Sequence, residues 1–407
     1  MAAFAIHAAA VRYGRLFDME GEVSDGMAKD QLNLSDVDEY WFHFAPPAAR
    51  THGFVAFLLI LISVFASLTN AVVLLVYKSN VNLNKQLRHY IIAMAVSDLS
   101  SSAGTTWMFA ASSLARRWLF GSIGCAIYGF SQSYCAYISM IAATAVAIER
   151  GLLIRCPAFY SRLHRWGPYH KLCVVVVLVY SFLMAAPPLV GWNAYKVEGY
   201  LTHCSFDFIS LHWLDRSYLF MVFSIGFFIP IIFILYSSFL ILKSLRYRPS
   251  SKPEQEGSNL STARDVEVFL NAAAKSQTRT QSILVPSEQS GLRESKGKVV
   301  RFPSDSTENR RAVVPSSTQR RLSILVMLIP TLFLAAWAPY AVLCLLAQFR
   351  ETMGLSIPPG AFVATSLVAK CSYFVNPLLY AFVDRSFRRG LWDMAPLWIL
   401  NSIYSGS

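Results

Sequence analysis

The chain has 407 residues, of which 55% are hydrophobic, 14% aromatic and only 15% charged, with a formal net charge of +12 and a mean hydropathy of +0.42. No soluble core needs that much apolar surface, so the composition excludes an ordinary globular domain in water and places the chain in a membrane. The positive excess fits basic loops on one membrane face better than a nucleic-acid surface, and no nucleic-acid partner is expected.

In chain order, residues 1–52 form a tail rich in acids, among them Asp18, Glu20, Glu22, Asp25, Asp30, Asp36, Asp38 and Glu39. Met1–Val11 is apolar but lacks a basic flank ahead of it, so no cleavable signal peptide is read there. Asn33-Leu34-Ser35 is a glycosylation acceptor triplet if the tail lies outside. Apolar stretches of bilayer-spanning length follow at Phe54–Tyr77, Tyr90–Leu114, Ile123–Ile154, Leu172–Trp192, Tyr218–Leu242, Leu322–Phe349 and Gly360–Phe382. The first, third and fifth connections carry the lysines and arginines: Lys78, Lys85 and Arg88, then Arg155, Arg162, Arg165 and Lys171, then a long run from Lys243 to Arg321. These connections are expected in the cytoplasm, with the amino terminus outside and the carboxyl terminus inside.

The expected fold is an all-α membrane protein, a seven-transmembrane helix bundle plus a short amphipathic cytoplasmic helix. Helices 1–5 occupy 53–246 and helices 6–7 occupy 319–383, while 384–407, opening on Asp384-Arg385-Ser386-Phe387-Arg388-Arg389, supplies the amphipathic helix and tail. Between them, residues 247–318 are rich in Ser, Gln, Arg, Lys and Pro and poor in large apolar side chains, so this third cytoplasmic loop is expected to be disordered. Of the seven cysteines, Cys135, Cys173, Cys344 and Cys371 fall inside spans and read as small apolar groups. Cys125, opening the third helix, and Cys204, in the second outer connection, both lie in oxidising space and can bridge.

The most informative residue is Lys370, near the middle of the last span. At a rise of roughly 1.5 Å per residue it sits about 15 Å from either interface, beyond the reach of a snorkelling lysine. Its amine must therefore be neutralised, paired or used covalently. A buried lysine is a nucleophile toward aldehydes, giving a Schiff base. The alternative is a structural lysine that faces a wet cavity or pairs with a carboxylate.

Together, Cys125-Ala126-Ile127-Tyr128-Gly129-Phe130, Glu149-Arg150, Pro187-Pro188-Leu189-Val190-Gly191-Trp192, Glu198-Gly199 with Cys204-Ser205-Phe206-Asp207, Trp337-Ala338-Pro339-Tyr340, Lys370 and Asn376-Pro377-Leu378-Leu379-Tyr380 follow the order and spacing of opsins. Opsins are the retinal-binding branch of rhodopsin-like G-protein-coupled receptors, and the resemblance runs from Asn70 to Phe387 outside the long loop. Within opsins the chain is most similar to the rhabdomeric group of invertebrate visual pigments and melanopsins.

The resemblance implies 11-cis-retinal or a close derivative on Lys370 through a protonated Schiff base, with Glu198 as counterion and a Cys125–Cys204 disulfide placing it. Tyr128 stands where vertebrate visual pigments carry a glutamate. Tyr128, Gly129, Ser133, Trp337 and Tyr340 are expected to line the ligand pocket, the last two because residues three apart share a helix face. Glu149, Arg150, Asp98, Asn70, Asn376, Pro377 and Tyr380 are expected to carry activation, with Asn376 and Tyr380 refilling the backbone bond that Pro377 removes. Gly151, Leu178, Gln319 and Ser238 depart from the family pattern at packing or activation positions. The implied function is a bistable light-sensing receptor in the plasma or photoreceptor membrane, signalling through a heterotrimeric G protein of the Gq type. Arrestin and a receptor kinase are expected to act through the long loop. No turnover, catalytic residue or metal site is expected. A retinal photoisomerase and a light-independent chemoreceptor are the alternatives.

Overall fold

A computed structural model describes residues 37–80, 83, 87–246 and 317–404, with side chains described except at 245–246, 317–322 and 395–404. Asn33, residues 247–316 of the long loop and the side chain of Gln319 lie outside what is described.

Seven helical segments follow in sequence: Ala49–Ser79, 88–114, Gly121–Arg155, Tyr169–Ala185, 213–246, Ser317–Gln348 and Pro359–Val383. They are numbered helix 1 to helix 7 below. Helix 1 shows why they belong in a bilayer: Phe54, Phe57, Leu61 and Leu68 are exposed, while Ser63 and Asn70 are buried. In lipid the apolar side chains face acyl chains, and the polar ones must find partners within the bundle.

Three departures from the sequence reading have local causes. Helix 4, expected over Leu172–Trp192, ends at Ala185, because Pro187 and Pro188 cannot continue the hydrogen-bond ladder. A 3₁₀ turn over Pro187–Val190 follows, closed by Gly191 at φ +90°. Helix 5 starts at Trp213, ahead of the expected Tyr218. The last helix, Arg385–Tyr404, is 20 residues long rather than short, and Phe387 and Met394 on its buried face pack into the core beneath helices 1 and 7.

Helix 2 contains a widened turn at Ser101–Thr105. The Thr105 and Thr106 hydroxyls donate to the Ser101 carbonyl at 3.1 and 3.0 Å, beside the Thr106 backbone N–H that the same oxygen accepts. Helix 7 is divided at Cys371 into Pro359–Lys370 and Ser372–Val383. Pro377 removes the bond to the Tyr373 carbonyl, and Asn70 of helix 1 fills it, donating from Nδ2 at 2.7 Å. Asn376 and Tyr380 do not perform that repair. Asn376 Nδ2 donates instead to Asp98 Oδ2 at 3.2 Å, and the buried Tyr380 hydroxyl has no hydrogen-bond partner among the described residues.

Between helices 4 and 5, β1 (Tyr195–Glu198) and β2 (His203–Phe206) form an antiparallel hairpin in which Glu198 faces His203 across the ladder. Cys204 is disulfide-bonded to Cys125 at the start of helix 3, with the Cα atoms 5.5 Å apart. An isolated bridge joins Val37 to Val197, and Trp41 packs edge-on against Phe208 and Phe362. The hairpin is thus fastened to helix 3 below and to the chain ahead of helix 1 above.

Candidate ligand-binding site

The cavity beneath the hairpin takes its walls from helices 3, 5, 6 and 7 and its roof from β1 and β2. Its non-atom space, open mouth included, is about 950 Å³. Lys370, Glu198, Tyr128, Gly129, Ser133, Trp337 and Tyr340 all line it.

Lys370 is 4% exposed. Its Nζ donates to Gln132 Oε1 at 3.1 Å and lies 5.8 Å from the ring centroids of Phe109 and Tyr128 and 6.0 Å from that of Tyr373. The amine is therefore met by one neutral acceptor and three aromatic faces, with no ion pair among the described residues. Gln132 is fixed in turn: its Oε1 also accepts from Thr105 Oγ1 at 2.8 Å, and its Nε2 donates to the Tyr373 hydroxyl. The widened turn of helix 2 aims Thr105 at this amide.

Glu198 closes the β1 end and is 3% exposed. The Tyr340 hydroxyl reaches its two oxygens at 2.9 and 3.0 Å, and His203 Nε2 lies 2.7 Å from Oε1. His203 is stacked on Phe109, centroids 4.1 Å apart, and Phe109 also touches the lysine amine. One phenylalanine therefore lies between the amine and the carboxylate.

The remaining lining residues shape the apolar interior. Trp337 donates from Nε1 to Ser372 Oγ at 3.2 Å and stacks on Phe333. A Cβ at Gly129 would run into the ring of Tyr195, so a glycine is needed for β1 to settle on helix 3. The Tyr128 hydroxyl is buried without a partner beneath Trp118.

Sequence reasoning missed Gln132, His203, Phe109 and Tyr373. Gln132 carried a weak signal, lying four residues after Tyr128 on the same face of helix 3. His203 carried one too, directly before the bridging cysteine. Neither signal says which group the side chain meets.

Glu149 and Arg150 lie buried at the opposite end of helix 3. The Glu149 carboxylate accepts from the Tyr90 hydroxyl at 2.8 Å and faces His164 Nε2 at 3.5 Å; among the described residues it forms no ion pair with Arg150. Between the two ends, Asp98 accepts from Ser139 at 2.7 Å as well as from Asn376, linking helices 2, 3 and 7. Gly151 abuts helix 5, where an added Cβ would come 3.1 Å from Ser237 Oγ. Leu178 faces outward.

Residues 69–380 match the family described as 7 transmembrane receptor (rhodopsin family). The chain is 26% identical to "Rhodopsin, GQ-coupled" of Mizuhopecten yessoensis, over 88% of this chain and 63% of that protein. It is 27% identical to the rhodopsin of Enteroctopus dofleini, over 90% and 70% of the two chains. With the melanopsin of Felis catus it shares 28% identity, over 85% and 61%. The chain thus spans just under two thirds of the scallop and cat relatives. The crystal structure of squid rhodopsin matches with a TM-score of 0.66 at 24% identity, covering 91% of this chain and 92% of that one, a likeness in fold.

Proposed function

Because the chain belongs to the rhodopsin family of seven-transmembrane receptors, we propose that it is a light-sensing receptor that holds retinal covalently on Lys370 and signals through a heterotrimeric G protein of the Gq class. The observation that carries this reading is a buried lysine amine opening into an apolar cavity that also holds one carboxylate, Glu198. That donor set suits an aldehyde with a long apolar body: an amine to attach it, an anion for the cation so formed, and aromatic walls. Retinal, when bound there, supplies a light-driven change of double-bond geometry.

The chain's own residues do the rest. Lys370 fixes one end of the ligand, while Gln132 and Tyr373 set the direction from which the amine enters the cavity. Glu198 balances the charge, held by Tyr340 of helix 6 and His203 of β2. Trp337 and Phe333 press on the ligand from helix 6, so displacement there acts on the same helix that holds the counterion through Tyr340. The Asp98–Asn376 bond connects Lys370's helix to helices 2 and 3. Likeness to a protein named as a Gq-coupled rhodopsin supports that class of partner. In this reading the amino terminus and hairpin face outward, and the long loop, the arrestin and kinase region, faces the cytoplasm. Bistability follows if Glu198 keeps its place while the ligand changes shape.

A photoisomerase on the same site is the second reading, favoured by Glu149 being held by Tyr90 and His164 instead of Arg150. The deciding experiment reconstitutes purified protein with 11-cis-retinal and follows absorbance and Gq nucleotide exchange under illumination. A visible pigment that is lost in Lys370→Ala, with light-dependent exchange, is expected. Pigment without exchange favours the isomerase, and pigment retained in Lys370→Ala overturns the attachment site.

A further inference from the structure

At the Arg150 end of helix 3, three potential metal ligands from separate segments converge: Glu149 of helix 3, His164 of the connecting helix Pro157–Arg165, and His170 at the start of helix 4. One ligand atom from each lies within 4.8 Å of the others. We propose that they form a binding site for a divalent transition-metal ion of the zinc class.

The hydrogen-bond pattern points to a cation. His164 Nδ1 is 3.1 Å from the Tyr160 carbonyl, which only accepts, so Nδ1 carries the proton. In the neutral ring Nε2 then presents a lone pair, and it faces Glu149 Oε2 at 3.5 Å. Two lone pairs confronting each other in a buried place call for a cation between them. The same carbonyl bond is the second-sphere contact that orients a metal-bound imidazole.

Glu149 Oε1 accepts from Tyr90, and Oε2 is turned toward His164, with the Tyr169 hydroxyl also near the carboxylate. His170 Nδ1 is buried without a partner, and the ring is held by stacking on His89, with centroids 5.6 Å apart. Tetrahedral bonds of about 2.1 Å separate ligand atoms by about 3.4 Å. The His164–Glu149 pair already has that spacing, and His170 needs a shift of about an ångström. Two histidines and a carboxylate leave the fourth position for water, a donor set that zinc accepts. Occupancy would tie helix 3, the connecting helix and helix 4 together beside Arg150.

The test uses untagged full-length protein titrated with Zn²⁺ against a chromogenic chelator, with Co²⁺ as a spectroscopic substitute. One equivalent should bind saturably, and His164→Gln and His170→Gln should each weaken binding by about tenfold or more. Bound Co²⁺ should show the intense visible bands of a four-coordinate ion. Zn²⁺ should slow amide exchange across 157–171, a readout independent of retinal or G protein. Equal binding by the unsubstituted protein and the double variant overturns the site. If a variant aggregates, the Co²⁺ spectrum of the unsubstituted protein decides alone, and the weak bands of a six-coordinate, all-oxygen ion likewise overturn it.

Discussion

The two ends of the bundle carry the same three chemical groups in different states of closure. At the hairpin end, Glu198 is held by a tyrosine and a histidine, with His203 Nε2 at 2.7 Å. At the Arg150 end, Glu149 is held by a tyrosine and faces a histidine, but His164 Nε2 stays at 3.5 Å. The first pair is in close contact and the second is looser. Stacking and strand pairing push His203 onto its carboxylate, whereas the Tyr160 carbonyl commits the other nitrogen of His164 and leaves a gap. The same trio is therefore closed tightly at one end and left open at the other.

The largest effect should come from breaking the hairpin's anchor. Cys125→Ser releases a loop of 79 residues in sequence separation, which in the chain-entropy account costs about 4 kcal/mol. Thermal unfolding should move down by several degrees and pigment formation should largely vanish. An unchanged melting curve would show that the Val37–Val197 bridge and Trp41 packing suffice to hold Glu198. Next in size is Glu198→Gln. The midpoint at which the pigment passes from visible to ultraviolet absorption should fall by about one to three pH units, while Tyr128→Phe moves it much less; the reverse ranking removes Glu198 as counterion.

Tyr340→Phe isolates the hairpin-end trio further, because it deletes one donor from a buried carboxylate while keeping the ring. A loss of about 1–3 kcal/mol in stability is expected, together with a spectral shift that Tyr90→Phe, acting on the other trio, does not produce. A shift of equal size from Tyr90→Phe would mean that the two ends are not independent.

The smallest effect concerns Lys196 on β1, 2.8 Å from Asp207. Burial alone would lower its pKa, but the Asp207 charge and hydrogen bond, with the Asp38 and Asp215 charges, together outweigh this, and the net shift is upward. The pair's contribution is thus fully present below the unfolded lysine value, near pH 10.5, and is lost as pH rises through the higher folded value. Because the amine is partly exposed, Lys196→Met should cost at most about 1 kcal/mol. The cost should be flat from pH 6 to 9 and shrink above pH 10.5; a steep dependence near neutrality would assign the titration to another group.

Lys370 was legible in the sequence because a charge far from either interface stands out against a continuous apolar stretch. The cysteine bridge was legible from topology, since both cysteines fall on the outer side, whereas Glu198 could be singled out only through its spacing within a family pattern, since a loop glutamate carries no periodic signal. Pro377 announced a missing bond, but its replacement, Asn70, lies 303 residues from the carbonyl it serves. No local rule reaches that far. The early end of helix 4 was readable in principle from Pro187-Pro188, yet the apolar run on either side hid it. His164 and His170 carry no signal in the sequence, because only the packing of the connecting helix beside helix 3 brings them to Glu149.

The irregular turn at Cys371 sets Lys370 and Ser372 on either side of a single residue of helix 7. Lys370 lines the cavity, and the Ser372 hydroxyl receives the Trp337 indole. Four residues farther along, Asn376 donates to Asp98 of helix 2. One short stretch of helix 7 thus adjoins the cavity, helix 6 and helix 2 at once, so a backbone change at Cys371 reaches all three neighbours together.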